Sequence, residues 1–372
     1  MAKIRILIVD DSVVIRRLLS DELSKDPMIE IVGKAATGKI ALSMIEQVNP
    51  DVVTMDIEMP EMDGLTAVSE IRKTHKTLPI IMFSTLSQRA ARETLEALSR
   101  GANDYVTKPA NVGSAALAMQ RVRDELLPKI KSLCSSRFPL ASPAPTVSPV
   151  RMTTVKPQPM SIPEKREPSR IDVIAIGVST GGPNALAEVL PSIPKDFPVP
   201  IVIVQHMPPV FTKCLAERLT AKCHLPMEEG IAGAAVHSGK MWLAPGDYHM
   251  VVVKKGAFIE LALNQDPQEN SCRPAVDVLF RSVAQVYGEH TLAVILTGMG
   301  QDGLRGCEVI REAGGQVIVQ DEQTSVVWGM PGAVAQAGLA DNILPLSEIA
   351  AEIQTRVMIS RLAAAVGASH HR

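Results

Sequence analysis

Residues 171–183 read Ile171-Asp172-Val173-Ile174-Ala175-Ile176-Gly177-Val178-Ser179-Thr180-Gly181-Gly182-Pro183. An apolar, β-branched run passes directly into a turn of small residues that carries a serine. Such a short continuous run is the pattern of a strand buried on both faces, as in a parallel sheet. The arrangement recurs twice downstream. Ile201–Val204 leads into Gln205-His206-Met207-Pro208, and Leu292–Leu296 leads into Thr297-Gly298-Met299-Gly300-Gln301-Asp302-Gly303. In an open parallel sheet, the loops past the carboxyl ends of the strands line the crevice where ligands bind. The reading places a serine, a histidine and an aspartate at one rim.

The whole chain has 372 residues, more than one ordinary core, so two domains are expected. A net charge of −2 and an aromatic content of 3% give neither the basic footprint nor the stacking platforms of a nucleic-acid binder. No apolar run approaches the ~20 residues of a membrane span, and the first residues pass straight into a strand without a signal peptide. The five cysteines are scattered, which suits reduced thiols in the cytoplasm and not a disulfide framework or zinc site. A cytoplasmic monomer is expected. Between residues 134 and 169 eight prolines with Ser and Thr forbid regular structure and read as an extended linker. The expected layout is a domain over 1–133, this linker, a second domain over 170–366, and a polar tail over 367–372.

In the first domain, strand patterns at Ile4–Val9, Ile29–Ala35, Val52–Met55, Ile80–Phe83 and Tyr105–Val106 alternate with amphipathic helices such as Val13–Leu23, with Ser12 as its cap. Five such units predict a flavodoxin-like α/β domain. Its strand ends carry Asp10 and Asp11, Asp56, Ser84 with Thr85 beside it, and Lys108. Three carboxylates in one crevice repel each other unless a divalent cation neutralises them, and hard oxygen ligands favour Mg²⁺. Asp56 is then a nucleophile toward a phosphoryl group. Lys108 would hold a phosphoryl oxygen, and Ser84 or Thr85 would donate to another.

The second domain is expected to be doubly wound and mainly parallel. Gly177-Val178-Ser179-Thr180-Gly181 fits G-x-S-x-G, a turn that exposes a serine. Ser179 stands where a dinucleotide fingerprint needs its second glycine, and the run ends in Gly-Pro where a phosphate loop needs Gly-Lys, so both nucleotide readings fail. The order Ser179, His206, Asp302 is not that of the α/β-hydrolases, but triads are recognised by geometry. By chemistry Ser179 would attack a carbonyl, His206 would take its proton and Asp302 would orient the ring. Backbone amides near Thr180 and Met299 are candidate oxyanion donors.

Residues 3–128 resemble response-regulator receiver domains. The resemblance implies Asp56 as phospho-acceptor, Asp10 and Asp11 as Mg²⁺ ligands, Ser84 as the switch hydroxyl, Lys108 as the phosphate sensor and Tyr105 as the rotating aromatic. The quoted turns, together with Leu243-Ala244-Pro245-Gly246, Arg273-Pro274-Ala275-Val276-Asp277-Val278-Leu279-Phe280 and Gly329-Met330-Pro331, resemble the CheB family of chemotaxis methylesterases. That resemblance implies a Ser179, His206, Asp302 triad hydrolysing γ-methyl glutamyl esters, and deamidating glutamines, on chemoreceptor cytoplasmic helices. It further implies a chemotaxis histidine kinase as phosphodonor and no cofactor for the ester chemistry. The leading expectation is that the unphosphorylated first domain covers the triad rim. Two positions depart from the family pattern, Cys272 in place of His and Ala275 in place of Ser, and are expected to bear on substrate contacts and not on the chemistry.

Overall fold

The computed structural model describes residues 3–108, 119–120, 122–135 and 169–369, with side chains to Arg361. Most of the Pro-rich stretch lies outside these residues. The first domain is a five-stranded parallel sheet in the order β2-β1-β3-β4-β5, built from β1 (Ile4–Val9), β2 (Ile29–Ala35), β3 (Val52–Asp56), β4 (Ile80–Ser84) and β5 (Asp104–Thr107). Helices α1 (Val13–Leu23), α2 (Gly38–Val48), α3 (Gly64–Thr74), α4 (Gln88–Ser99) and α5 (Leu127–Leu133) cover it. The starts of α1, α2, α3 and α4 follow from sequence. Ser12, Thr37, Asp63 and Ser87 each accept a hydrogen bond from the amide three residues on, satisfying a donor that the first turn leaves unpaired.

The second domain has seven parallel strands in the order β14-β13-β12-β6-β7-β9-β8. They are β6 (Val173–Val178), β7 (Ile201–Gln205), β8 (Met227–Glu229), β9 (Met241–Leu243), β12 (Thr291–Ile295), β13 (Gln316–Gln320) and β14 (Asn342–Leu344), with an antiparallel hairpin, β10 (His249–Lys255) and β11 (Phe258–Asn264), beside the sheet. Its helices are α6 (Gly182–Val189), α7 (Phe211–Thr220), α8 (Val276–Tyr287), α9 (Leu304–Glu312), α10 (Met330–Gln336) and α11 (Leu346–Ser369). Helix α11 continues past Gly367, where a tail was expected. Strands β6, β7 and β12 are buried along their whole length, as their unbroken apolar runs require.

Strand order locates the crevices. In the first sheet the chain turns back between β1 and β3, which pair directly, so Asp10 and Asp56 lie side by side. In the second, β6 pairs with β7 on one side and β12 on the other. The order therefore reverses at β6, and loops leaving β6, β7 and β12 frame one crevice.

Candidate active site and its docked phosphorylation domain

The turn after β6 is fixed from both sides. The Ser179 amide donates to Thr297 O (3.0 Å), Thr297 Oγ1 donates to Thr180 O (2.9 Å), and Gln205 Nε2 donates to Ser179 O (2.9 Å). Gly181, with φ of 79°, makes the left-handed step into α6 that a side chain would strain. A Cβ at Gly298 would lie 2.9 Å from Ser179 Cβ, so the loop after β12 rests directly on the serine.

The structure brings His206 and Asp302 together: Nε2 of the ring lies 2.7 Å from Asp302 Oδ2. Asp302 does not cap its own helix α9. Its Oδ2 accepts from the Val276 amide (2.6 Å), and its Oδ1 accepts from the amides of Asp277 and Gly303 (3.0 Å each). Two of those amides open α8, whose capping position is Ala275 and offers no side-chain acceptor. Asp302 thus caps α8 from a distant loop. Burial would raise its carboxyl pKa, but the His206 bond and charge and the backbone amides outweigh burial and hold it below the ordinary carboxylate value.

Cys272, expected to bear on substrate contacts alone, also acts on the charge state of the His206 ring. Burial alone would favour the neutral imidazole. The Cys272 sulfur and the Asp302 carboxylate outweigh it and push His206 up to about 10. Ser179 Oγ makes no hydrogen bond among the described residues, and neither do the amides of Thr180 and Met299, which remain available at the rim. The local pattern gave no sign of Asn270 or Phe211. Asp277 and Gln205 stood inside the quoted motifs without an assigned role.

In the first domain Asp10, Asp11 and Asp56 each bring a carboxylate oxygen within 4.8 Å of the others. Lys108 Nζ lies 2.7 Å from Asp56 Oδ2 and 2.9 Å from Asp10 Oδ2. Burial raises the Asp56 pKa to about 6, with Lys108 opposing and Asp10 adding to the rise. Ser84 is tied to residues of α4. It accepts from Thr94 Oγ1 (2.8 Å) and donates to Thr85 O and Ala90 O, while Ser84 and Thr85 both line a cavity of about 160 Å³ that reaches Asp56.

The face formed by α4 and β5 docks on α6 and α7. Tyr105 and Phe211 stack with ring centroids 4.8 Å apart and 4° between planes. Thr180 Oγ1, beside the serine, donates to Asp104 Oδ2 (2.8 Å), which Lys129 also pairs with (2.9 Å). Asn184 donates to Leu98 O (2.8 Å), Arg218 binds Glu96 through two nitrogens (3.1 Å each), and Arg92 pairs with Glu217 (3.2 Å). Thr180 is only 5% exposed beneath this cover.

A carboxylate-lined five-stranded α/β domain seated on the rim of a second α/β domain defines a response regulator that carries its own output domain. Residues 6–119 match the response regulator receiver domain family, and residues 174–353 match the CheB methylesterase family. The chain belongs to the CheB methylesterases. It is 53% identical to the protein-glutamate methylesterase/protein-glutamine glutaminase of Trichodesmium erythraeum, covering 96% of this chain and 100% of that one. It is 50% identical to the protein of that name from Nocardioides, covering 97% of each. The crystal structure of the Thermotoga maritima CheB methylesterase catalytic domain, 42% identical, aligns over 50% of this chain and 98% of its own with a TM-score of 0.49. Among the described residues no helix is long and apolar enough to cross a membrane.

Proposed function

We propose that this chain is a phosphorylation-activated esterase of the cytoplasm that hydrolyses glutamate γ-methyl esters, and deamidates glutamines, on chemoreceptor helices. The observation that carries it is the His206–Asp302 pair at 2.7 Å on the same rim as Ser179. Ser179 Oγ attacks the ester carbonyl as His206 takes its proton. The amides of Thr180 and Met299 receive the oxyanion. His206 then returns the proton to the departing methanol, and water repeats the sequence to release the carboxylate. Nε2 of His206 faces Asp302, so Nδ1 is the nitrogen left to take the serine proton.

The receiver takes its phosphoryl group on Asp56 from a histidine kinase. Asp10, Asp11 and Asp56, an all-carboxylate set, fit Mg²⁺, which would neutralise the charge that gathers there. Lys108 would hold a phosphoryl oxygen. Ser84, or Thr85 beside it, would donate to another after turning from its Thr94 contact. That turn would alter the first turns of α4, and α4 forms the docked face. Undocking would then uncover Thr180 and the serine turn. The protein acts as a monomer in this reading.

The test is methanol release from methyl-labelled receptor membranes, with and without a small phosphodonor plus Mg²⁺. Wild type should release more with the phosphodonor, and Ser179→Ala should release none. Release by the variant would sink the nucleophile assignment. Equal release with and without the phosphodonor would sink the regulation.

A further inference from the structure

Behind His206 lie two buried carboxylates, and only one of them touches the ring. Asp277 is fully buried at the start of α8 and Asp302 is 2% exposed. Asp277 Oδ1 accepts from the amides of Gly303 (2.9 Å) and Gly306 (2.7 Å). One side-chain nitrogen bridges the pair. Asn270 Nδ2 donates to Asp277 Oδ2 and to Asp302 Oδ1, at 2.8 Å each. Two anionic acceptors fix which end of the amide faces inward, since only the NH₂ group has two protons to give.

We propose that Asn270 is a positioning residue of the hydrolase site, holding the Asp302 carboxylate so that Oδ2 faces His206 Nε2. The proposal rests on the triad reading above. A carboxylate turns about its Cβ–Cγ bond, and Asn270 pins the oxygen opposite the one that meets the histidine. The amide also screens two like charges without adding a third. A lysine or arginine there would compete with His206 for Asp302, and an aspartate would add to the repulsion. Burial and the neighbouring Asp302 charge already raise the Asp277 pKa. Losing the bridge would draw a proton into the pair and weaken its hold on the ring.

The backbone is shaped for this role. Asn270 has φ of 52° and Ser271 of 61°, the left-handed region that asparagine tolerates better than most residues. Reciprocal backbone bonds between Glu269 and Cys272 (3.1 and 2.9 Å) close the turn. Arg281 clamps Glu269 with two bonds of 2.6 Å. One turn, closed at both ends, thus presents Asn270 to the two carboxylates.

Two variants of the full chain test this: Asn270→Gly, which keeps the left-handed backbone, and Asn270→Asp, which replaces the donor. The readouts are kcat and KM on methylated receptor membranes across pH, and the far-downfield proton resonance of the His206–Asp302 bond in histidine-labelled protein. In Asn270→Gly kcat should fall about 100-fold, with KM nearly unchanged and the resonance lost or moved upfield. Asn270→Asp should recover relative to wild type as pH falls, because the protonated acid can again donate one bond. Wild-type kcat in the glycine variant, or a resonance that stays in place in both folded variants, would overturn the proposal. If wild type itself released no methanol, the esterase reading would fail, and the resonance would still decide whether Asn270 positions Asp302.

Discussion

His206 shows how far a residue's chemistry depends on neighbours that are distant in sequence. Asp302 and Cys272 come from separate loops, yet together they outweigh burial and push the ring up to about 10. A base must be neutral to accept a proton, so esterase activity without phosphodonor should rise with pH through the neutral and mildly alkaline range. Cys272→Ser removes the sulfur's contribution and should move the acid limb of that profile to lower pH, because less then holds the proton on the ring. A pH-rate profile for both proteins checks this, and superimposable profiles would sink it. That Ser179, His206 and Asp302 would share a rim was legible, since each directly follows a buried strand. The bridge made by Asn270 was not. It sits on an irregular turn after the hairpin, where no periodicity says which way a side chain faces.

Among the elements, the strand-to-helix turn from β6 into α6 carries the serine, and its geometry rests on close contact with β7. A Cβ added at Gly182 would lie 1.9 Å from Gln205 Oε1 and 2.7 Å from Val178 Cγ2. The Gln205 amide would have to move, and its Nε2 holds Ser179 O. Gly182→Ala should therefore cost about 1–3 kcal/mol of stability, as overpacking does, and lower kcat. Thermal unfolding alongside methanol release measures both, and an unchanged melting point with full activity would refute the steric argument. The strands, and the caps at Ser12 and Ser87, could be read from apolar runs and from Ser before helical periodicity. The capping of α8 could not. Ala275 supplies no acceptor, and the carboxylate that does so, Asp302, lies 26 residues beyond Val276, on another loop.

Over the whole molecule, one interface ties the two halves. Polar contacts at its edge, such as Arg218 with Glu96 and Arg92 with Glu217, are partly solvated and contribute little each. The Tyr105–Phe211 stack is buried, and such a pair is worth about 1 kcal/mol beyond its area. Tyr105→Ala should therefore raise methanol release in the absence of phosphodonor at least about fivefold, with a smaller change in its presence. No rise without phosphodonor would mean that docking does not limit activity.

The order of buried runs and polar turns by itself determined two parallel α/β domains and which side chains stand at their strand ends. Strand burial and side-chain period are local properties, and a parallel sheet brings its carboxyl-end loops to one edge by construction. Only the tertiary structure decided what those side chains meet. Asp302 turns to His206 and to α8 in place of its own helix, Asn270 joins it to Asp277, and Ser84 turns to Thr94. Tyr105 finds Phe211 in the other domain. Each of these contacts joins segments whose separation is set by packing between elements, and no sequence period encodes that distance.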